Sequence, residues 1–256
     1  MAGLVSIIMP SYNTAEYIAE SIQSVLAQSY KDWELLIVDD CSTDNTDEVV
    51  KPYLSDERIK YMKNDANSGA AVSRNRALRE AKGKWIAFLD SDDLWMPDKL
   101  SKQINFMEEH GYSFSYTDYV EIDTYGKRNG VTVTGPRRVT KTGMFNYCWP
   151  GCLTVMYDAN AVGLIQIADI KKNNDYAMWL KVCKKAYCYL LDEELALYRR
   201  GRTGSISTHS IKKLIEWHYK LHKEAEGQNR WIALFNTGRN IMFGFYKKKR
   251  YVKKHK

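Results

Sequence analysis

The chain has 256 residues, of which 45% are hydrophobic, and its 38 Lys and Arg against 31 Asp and Glu give a formal charge of +7. This length and apolar content suit one large globular domain, and only 5 Pro and 15 Gly exclude a collagen-like or disordered chain. Five cysteines without a CxxC pair predict neither a disulfide framework nor a zinc site.

Strand and helix patterns alternate through the first hundred residues. Short apolar runs predict buried strands, and apolar residues at helical spacing or good helix formers predict the helices between them. The predicted strands are 4–9, 35–38, 59–62 and 85–89. Of the helices between them, the first is predicted to begin with Asn13 as its cap and the second to pass through Val49 and Val50. The third is predicted to span 69–81 and to be closed by Gly83. This order predicts an α/β fold with a mostly parallel central sheet flanked by helices.

The second half is less regular. A helix with Pro97 in its first turn is predicted to reach about His110, and strands are predicted at 112–122, 153–157 and 189–191, with a helix over 176–185. From Ile211 onward the sequence predicts two C-terminal helices, and a basic tail follows them directly.

The positive charge is concentrated at the C-terminus. Residues 1–100 hold 11 Lys or Arg and 17 Asp or Glu, whereas residues 247–256 hold seven Lys or Arg and no acid. The N-terminus lacks a signal-peptide pattern, and no apolar run approaches the roughly 18 to 20 residues that cross a bilayer. We therefore predict a cytoplasmic protein that at most binds a membrane surface. A nucleic-acid-binding protein stays an alternative, although it would need basic residues across a folded face.

Polar clusters follow three predicted strands, at 11–13, 39–40 and 90–93. In a parallel sheet the ligand lies beyond the carboxyl ends of the strands, so these clusters predict one site. Asp90 and Asp92 are two apart at a strand end and can point the same way, which suits a Mg²⁺ or Mn²⁺ ion shared with substrate phosphates. An acidic turn that only ends the strand is the alternative, and the spacing alone does not decide.

Short segments along nearly the whole chain resemble glycosyltransferase family 2, the inverting enzymes of GT-A fold. They read PSYN at 10–13, VDDCSTDNT at 38–46, NSGAAVSRNRAL at 67–78, FLDSDD at 88–93, CLTVMYD at 152–158, NDYAMWLKV at 174–182, LDEELALYRR at 191–200 and GSIS at 204–207. The length and the GCLTV stretch also resemble bacterial transferases that build teichuronic acid, capsule and O-antigen chains.

The resemblance implies a role for each matching position. The nucleotide would be bound by Pro10, Tyr12, Asp40, Arg74, Asp90 and Ser91, and the Mn²⁺ or Mg²⁺ ion by Asp92. The family places its catalytic base second in an acidic pair at a helix start, and that pair here reads Asn174 and Asp175. Asp175 is therefore the candidate base, and it is also predicted to cap its helix. Further candidates are Asp93, Asn174, Arg199, Arg200 and Trp149.

The further candidates each have a simpler alternative. In the family, the stretch holding Arg199, Arg200 and Arg202 is a mobile loop that meets the diphosphate, but a solvated basic loop would look the same. Trp149 could form a wall for an acceptor sugar, although a core position is favoured. The i, i+4 pair of His218 and His222 has metal-like spacing without a third ligand, and we predict it on a helix surface.

The resemblance implies a metal-dependent inverting transferase. It would move a hexose or N-acetylhexosamine from a UDP-sugar to a hydroxyl of a growing, lipid-linked bacterial surface polysaccharide, at the inner face of the cell membrane. Residues 1–110 would form the nucleotide-sugar-binding half, residues 111–205 the acceptor and catalytic-base half, and residues 206–256 the C-terminal helices and basic tail. The tail, with adjoining aromatic residues, would bind an anionic membrane surface, and no nucleic acid is expected.

A sugar-nucleotide pyrophosphorylase is the alternative enzyme. It shares the nucleotide-binding architecture, but it normally has a Gly-rich N-terminal loop followed by Arg and Lys, and this sequence lacks that loop.

Overall fold

The computed structural model describes residues 3–201 and 210–255, which have a mixed α/β architecture. The strands are β1 (Val5–Ser11), β2 (Trp33–Asp39), β3 (Ile59–Lys63), β4 (Trp85–Phe88), β5 (Leu94–Trp95), β6 (Phe114–Ile122), β7 (Arg128–Val133), β8 (Arg138–Val139), β9 (Met156–Asp158), β10 (Cys188–Arg199) and β11 (Val252–Lys254). The helices are α1 (Ile18–Leu26), α2 (Thr46–Val50), α3 (Ala70–Glu80), α4 (Lys99–His110), α5 (Lys141–Asn146), α6 (Ala159–Val162), α7 (Asn174–Cys183), α8 (Ile211–Lys220) and α9 (Arg230–Arg250).

One sheet joins all the strands of the described ranges. Its main path runs β11-β7-β6-β9-β4-β1-β2-β3, and β10 pairs with β5, β6 and β8. β1 is parallel to β2 and β4, and β2 is parallel to β3, as the alternating strands and helices predict. β9 is antiparallel to both β4 and β6, so the sheet becomes mixed in the second half.

The strands β1, β2 and β4 are buried on both faces, which explains their largely apolar sequences. Successive side chains of a strand point to opposite faces. Thus Ile8 and Leu36 belong to one buried apolar cluster with residues of α3 and α7, while Ile7 and Leu35 belong to a second cluster with residues of α1 and α4. A helical layer on each face therefore holds the parallel strands, and their carboxyl ends lie at one edge.

The C-terminal residues are folded and do not form a tail. α8 continues into a π-helical turn at Leu221–Ala225, and α9 reaches Arg250, so many of the basic residues are helical. β11 then adds to the edge of the sheet, antiparallel to β7. The prediction that residues 247–256 form a tail after the helices is wrong, because residues 247–250 continue α9 and residues 252–254 pair with a strand about 120 residues earlier, a contact that no local pattern encodes. In the described ranges, the helices are too short or too polar to cross a bilayer.

Three local predictions at helix ends are also wrong. Asn13 is not the cap of α1, because its side chain accepts a hydrogen bond from the Thr43 N–H and its own backbone is left-handed, with a φ of 50°. Gly83 does not end α3, because the C-terminal cap of that helix is Ala81. A Cβ there would lie 2.5 Å from the Ser6 nitrogen, so glycine permits close packing on β1. Pro97 precedes the cap of α4, which is Asp98.

Candidate active site

Polar residues meet where the parallel strands end. Ser11 and Asp39 are register partners at the ends of β1 and β2, and the Asp40 N–H donates to the Ser11 carbonyl over 2.8 Å. β4 ends beside them, since the Leu89 N–H donates to the Ile8 carbonyl. The polar residues that follow β1, β2 and β4 therefore lie at the same edge, as predicted.

Asp40 anchors the loop that leads into α3. Its buried carboxylate accepts hydrogen bonds from Asn64 Nδ2 at 2.8 Å, the Ser68 N–H at 2.9 Å and the Gly69 N–H at 2.7 Å. Of the other residues expected near the nucleotide, Pro10 is buried within β1 and Tyr12 is exposed beyond its end. The edge thus combines a fixed loop with an exposed aromatic ring.

Arg74 connects the two halves of the chain. From the buried face of α3, its Nη2 donates to Asp90 Oδ1 over 2.6 Å and its Nη1 donates to Asn174 Oδ1 over 3.0 Å. Its Nε is buried and has no hydrogen-bond partner within the described ranges. Burial opposes the charged guanidinium, but nearby negative charges, led by Asp90, outweigh it and raise the pKa of Arg74. The arginine therefore stays charged between the acidic strand end and the start of α7.

Asp175 lies in the first turn of α7, next to the residue that Arg74 binds. It is half-buried, and its Oδ1 accepts the Tyr176 N–H over 2.8 Å. The helix cap is Asn173, in a left-handed conformation with a φ of 58°, so the prediction that Asp175 is the cap is wrong. Burial raises the pKa of Asp175, while the charge of Arg74 opposes the rise. A raised pKa makes this carboxylate a stronger proton acceptor.

The acidic run after β4 gathers three carboxylates at one turn. Asp90 is bound to Arg74, Ser91 is buried, Asp92 is half-buried, and the buried Asp93 accepts the Arg199 N–H over 2.8 Å. Burial raises the pKa of Asp93 well above its usual value, and the charges of Asp92 and Asp90 add to the rise. This mutual repulsion is what a bound cation would relieve.

The run fits a hard divalent cation that also binds a substrate. Its carboxylate oxygens are the donors that Mg²⁺ and Mn²⁺ prefer. In the described ranges no three His, Cys, Asp or Glu side chains are arranged to hold a metal by themselves. A metal at Asp92 would therefore need other oxygens, such as those of a diphosphate and of water.

Arg199 is a buried structural residue and not part of a loop. It ends β10, and its guanidinium donates to the Asp92 carbonyl at 2.8 Å, the Thr124 carbonyl at 2.8 Å and Glu20 Oε2 at 2.6 Å. Arg200 follows it and binds Glu121 through Nε and Nη2 at 2.9 and 2.7 Å.

The loop prediction fails because β10 is longer than its apolar centre suggests. It extends to Arg199 alongside β6, and the Arg200 N–H still donates to the Ile122 carbonyl. Arg202 and the segment 204–207 lie outside the described residues.

Lys247 turns inward from α9, which the sequence analysis did not predict. Its Nζ donates to the Trp149 carbonyl over 2.6 Å and to the Cys148 carbonyl over 3.3 Å. Burial lowers the pKa of Lys247 to about 8, against the charges of Cys148 and Asp175. Lys247 lies seven residues after Asn240, so both residues lie on the inward face of α9 once the helix is known to extend this far.

Trp149 and the histidine pair contribute packing. Trp149 is buried in the core, the position that the sequence analysis favoured, and its Nε1 donates to the Gly143 carbonyl. His218 and His222 are buried, so their predicted place on a helix surface is wrong. His218 lies near the end of α8 and His222 lies in the π-helical turn that packs against α9, where its Nε2 pairs with Asn240 Oδ1 at 2.8 Å.

Comparison with known proteins identifies related sequences. A sequence model described as Glycosyl transferase family 2 matches residues 6–159. TuaG of Bacillus subtilis, named as a teichuronic acid biosynthesis glycosyltransferase, is 45% identical over 211 residues, which cover 82% of this chain and 83% of TuaG. WfaP of Escherichia coli, a UDP-Glc:alpha-D-GlcNAc-diphosphoundecaprenol beta-1,3-glucosyltransferase, is 40% identical over 217 residues, which cover 83% of each chain.

The fold matches that of a solved structure. TarS of S. aureus, residues 1–349, superposes with a TM-score of 0.72 at 22% identity over 95% of this chain and 73% of that one. TarS has also been solved with UDP and with UDP-GlcNAc. The mixed sheet flanked by helices is the GT-A fold, as predicted. Because the family match covers more than half of the chain and TuaG is 45% identical over most of it, this chain belongs to glycosyl transferase family 2.

Proposed function

We propose that the protein is a metal-dependent inverting glycosyltransferase that moves a hexose or N-acetylhexosamine from a UDP-sugar to a hydroxyl of a lipid-linked bacterial surface polysaccharide. The observation that carries the proposal is the position of Arg74. It binds Asp90 at the nucleotide edge and Asn174 beside Asp175, so a donor at the edge would lie next to a carboxylate able to act as base.

Family membership makes the chain a glycosyltransferase. It disfavours the two alternatives drawn from the sequence, a pyrophosphorylase and a nucleic-acid-binding protein. The relatives act in building bacterial surface polysaccharide or are named for such pathways, which supports the same process here.

The donor would bind at the carboxyl ends of β1, β2 and β4. The TarS complexes with UDP and UDP-GlcNAc support a UDP-sugar for this fold. We assign the base and ribose to the exposed ring of Tyr12, to the edge that Asp40 fixes and to Arg74, whose buried Nε still lacks a partner within the described ranges. Pro10, Asp90 and Ser91 would complete the pocket.

Asp175 would supply the base for a single displacement. Its carboxylate takes the proton of the acceptor hydroxyl as that oxygen bonds to the anomeric carbon. The bond from the anomeric carbon to the diphosphate oxygen breaks, and its electron pair leaves with UDP, so the anomeric configuration inverts. Burial supports this role because it raises the pKa of Asp175, and Arg74 keeps the carboxylate oriented through its neighbour Asn174.

A divalent cation at Asp92 would stabilise the negative charge of the departing diphosphate. Asp90 and Asp93 would contribute to its field from the same turn. We expect UDP affinity to fall by at least about tenfold when Mg²⁺ and Mn²⁺ are removed, because the diphosphate would then face this acidic run unscreened. Calorimetric titration of UDP in Mn²⁺ and in chelator measures the change. Equal affinity in both buffers would contradict a metal at this site.

The acceptor is proposed from the relatives. WfaP is named for an acceptor carried on diphosphoundecaprenol, which supports a lipid-linked acceptor here. Such an acceptor lies at a membrane, so we place the enzyme on the inner face of the cell membrane as a peripheral protein.

A panel of UDP-sugars tests the proposal and identifies the donor. Water can take the place of the acceptor hydroxyl as nucleophile, so UDP release with UDP-glucose, UDP-galactose and the two UDP-N-acetylhexosamines can be followed without the acceptor. We expect one donor to be preferred by about tenfold or more, since a site that hydrogen-bonds a hydroxyl discriminates against its epimer. GDP-mannose is the control, and preference for it would contradict a UDP-sugar donor.

A further inference from the structure

The outward surface of α9 is apolar along most of its length. Trp231, Phe235, Met242 and Phe245 are 76%, 66%, 59% and 63% exposed. At about 100° per residue these positions fall within one stripe along the helix. The opposite side of the helix is buried and contains Ala233, Asn236, Thr237 and Asn240. We call the exposed stripe the outer face of α9.

Basic side chains border the outer face on both sides. By the same helical geometry, Arg230 and Lys248 lie along one border, and Arg239 and Arg250 lie along the other. From Asn229 to the end of the chain the sequence has no Asp or Glu. The outer face is therefore an apolar strip about 20 Å long on a helix whose own charged residues are all basic.

A groove next to the outer face has the same mixed character. It encloses about 460 Å³ between α5 and α9 and is lined by the apolar Phe145, Ile232 and Phe235 together with Lys141 and Arg239. Apolar walls with a cationic rim suit a molecule that has both hydrocarbon and anionic parts.

We propose that the outer face of α9 binds the surface of an anionic lipid bilayer, with the helix lying parallel to the membrane plane. The aromatic side chains would enter the interface between head groups and acyl chains, and the bordering Lys and Arg would bind anionic head groups. A second copy of the chain is a poorer partner, because two such faces would bring the basic borders of the two helices together. Nucleic acid fits less well, since the centre of the surface is hydrocarbon and not cationic.

The inward side of the same helix holds the segment that precedes Trp149 and contacts Tyr176, the residue after Asp175. Asn240 Nδ2 donates to the Phe145 and Asn146 carbonyls at 2.8 and 2.9 Å, and Lys247 holds the next residues of that segment. The segment leads to Trp149. The outer face and the side chains that hold this segment therefore lie on opposite sides of the same helix. This inference rests on the proposed lipid-linked acceptor.

Vesicle sedimentation tests the proposal with the full-length protein. The variant Trp231→Gln/Phe235→Gln/Phe245→Gln removes the aromatic side chains of the outer face without touching the buried side. The matched control is Tyr125→Gln, an aromatic residue that is 93% exposed in the turn between β6 and β7. The vesicles are phosphatidylcholine alone, or phosphatidylcholine with an equal amount of phosphatidylglycerol.

We expect the wild type and Tyr125→Gln to sediment with the anionic vesicles, and the triple variant to bind them at least about tenfold more weakly. Binding of the wild type should weaken in high salt and on neutral vesicles. Equal binding of anionic vesicles by the wild type and the triple variant would overturn the proposal.

Hydrolysis of the UDP-sugar in the absence of lipid separates this inference from the proposed function. The triple variant should hydrolyse the donor at the wild-type rate, because its changes face away from the site. Normal hydrolysis with no vesicle binding by the wild type would refute the membrane surface alone. Vesicle binding without hydrolysis of any UDP-sugar would refute the proposed function and leave the surface intact.

Discussion

Asp175→Asn is expected to lower the rate of sugar transfer by about a thousandfold or more, while UDP binds as tightly as it does to the wild type. Asn keeps the size and the hydrogen bond from the Tyr176 N–H, but it cannot accept the proton of the acceptor hydroxyl. Single-turnover transfer and UDP titration measure the two quantities separately. Asp169→Asn, an exposed carboxylate in the loop before α7, is the control and should retain activity.

The pH dependence of kcat/KM gives a second measurement on the same residue. The base must be ionised to act, so kcat/KM should fall as the pH drops through the pKa of Asp175. Because burial raises that pKa, the acid limb should lie above the usual Asp range near about 4. Appreciable turnover by Asp175→Asn, or an acid limb that the variant retains unchanged, would remove Asp175 as the base.

Local patterns in the sequence predicted the parts of the fold that local physics determines. The apolar runs behind β1, β2 and β4 are buried on both faces, so their continuity identified both the strands and the parallel sheet. The polar residues after these runs necessarily meet at one edge, which is why Asp40 and Asp90 could be placed there before the structure was known.

Contacts between distant segments could not be predicted from local sequence patterns. The acidic run is joined to β10 through Arg199, 107 residues from Asp92, and nothing near Arg199 in the sequence signals that its guanidinium is buried. Lys247 belongs to a run of basic residues that looks solvated, yet one member of it turns inward. Its helical phase could be assigned only once α9 was known to continue to Arg250.

The structure gives a physical reason for Asn174, which stands where the family has an acid before its base. Arg74 already has a carboxylate partner in Asp90, and Asn174 offers its second arm a neutral acceptor. An acid at position 174 would add a negative charge beside Asp175 and raise the pKa of this proposed base further. Asn therefore keeps the hydrogen bond to Arg74 without that charge.

Arg74→Met is expected to lower both stability and activity, because it breaks the link between the two halves of the site. The variant removes the hydrogen bonds to Asp90 and Asn174 and leaves Asp90 without its cation, a loss of about 2 to 3 kcal/mol for a pair of this burial. Thermal unfolding should shift downward by several degrees, and donor hydrolysis should fall by about a hundredfold as Asp175 loses its fixed relation to the nucleotide edge.

Two further variants separate orientation from charge. Arg74→Lys retains a cation for Asp90 but cannot bind two acceptors with a planar fork, so it should recover most of the thermal stability and little of the rate. Arg79→Met, on the same helix, removes an exposed side chain that binds Gln166 and should leave both quantities near the wild type. Full activity in Arg74→Lys would show that transfer requires a cation beside Asp90 and does not require the contact with Asn174. Wild-type rate and melting temperature in Arg74→Met would contradict the linking role.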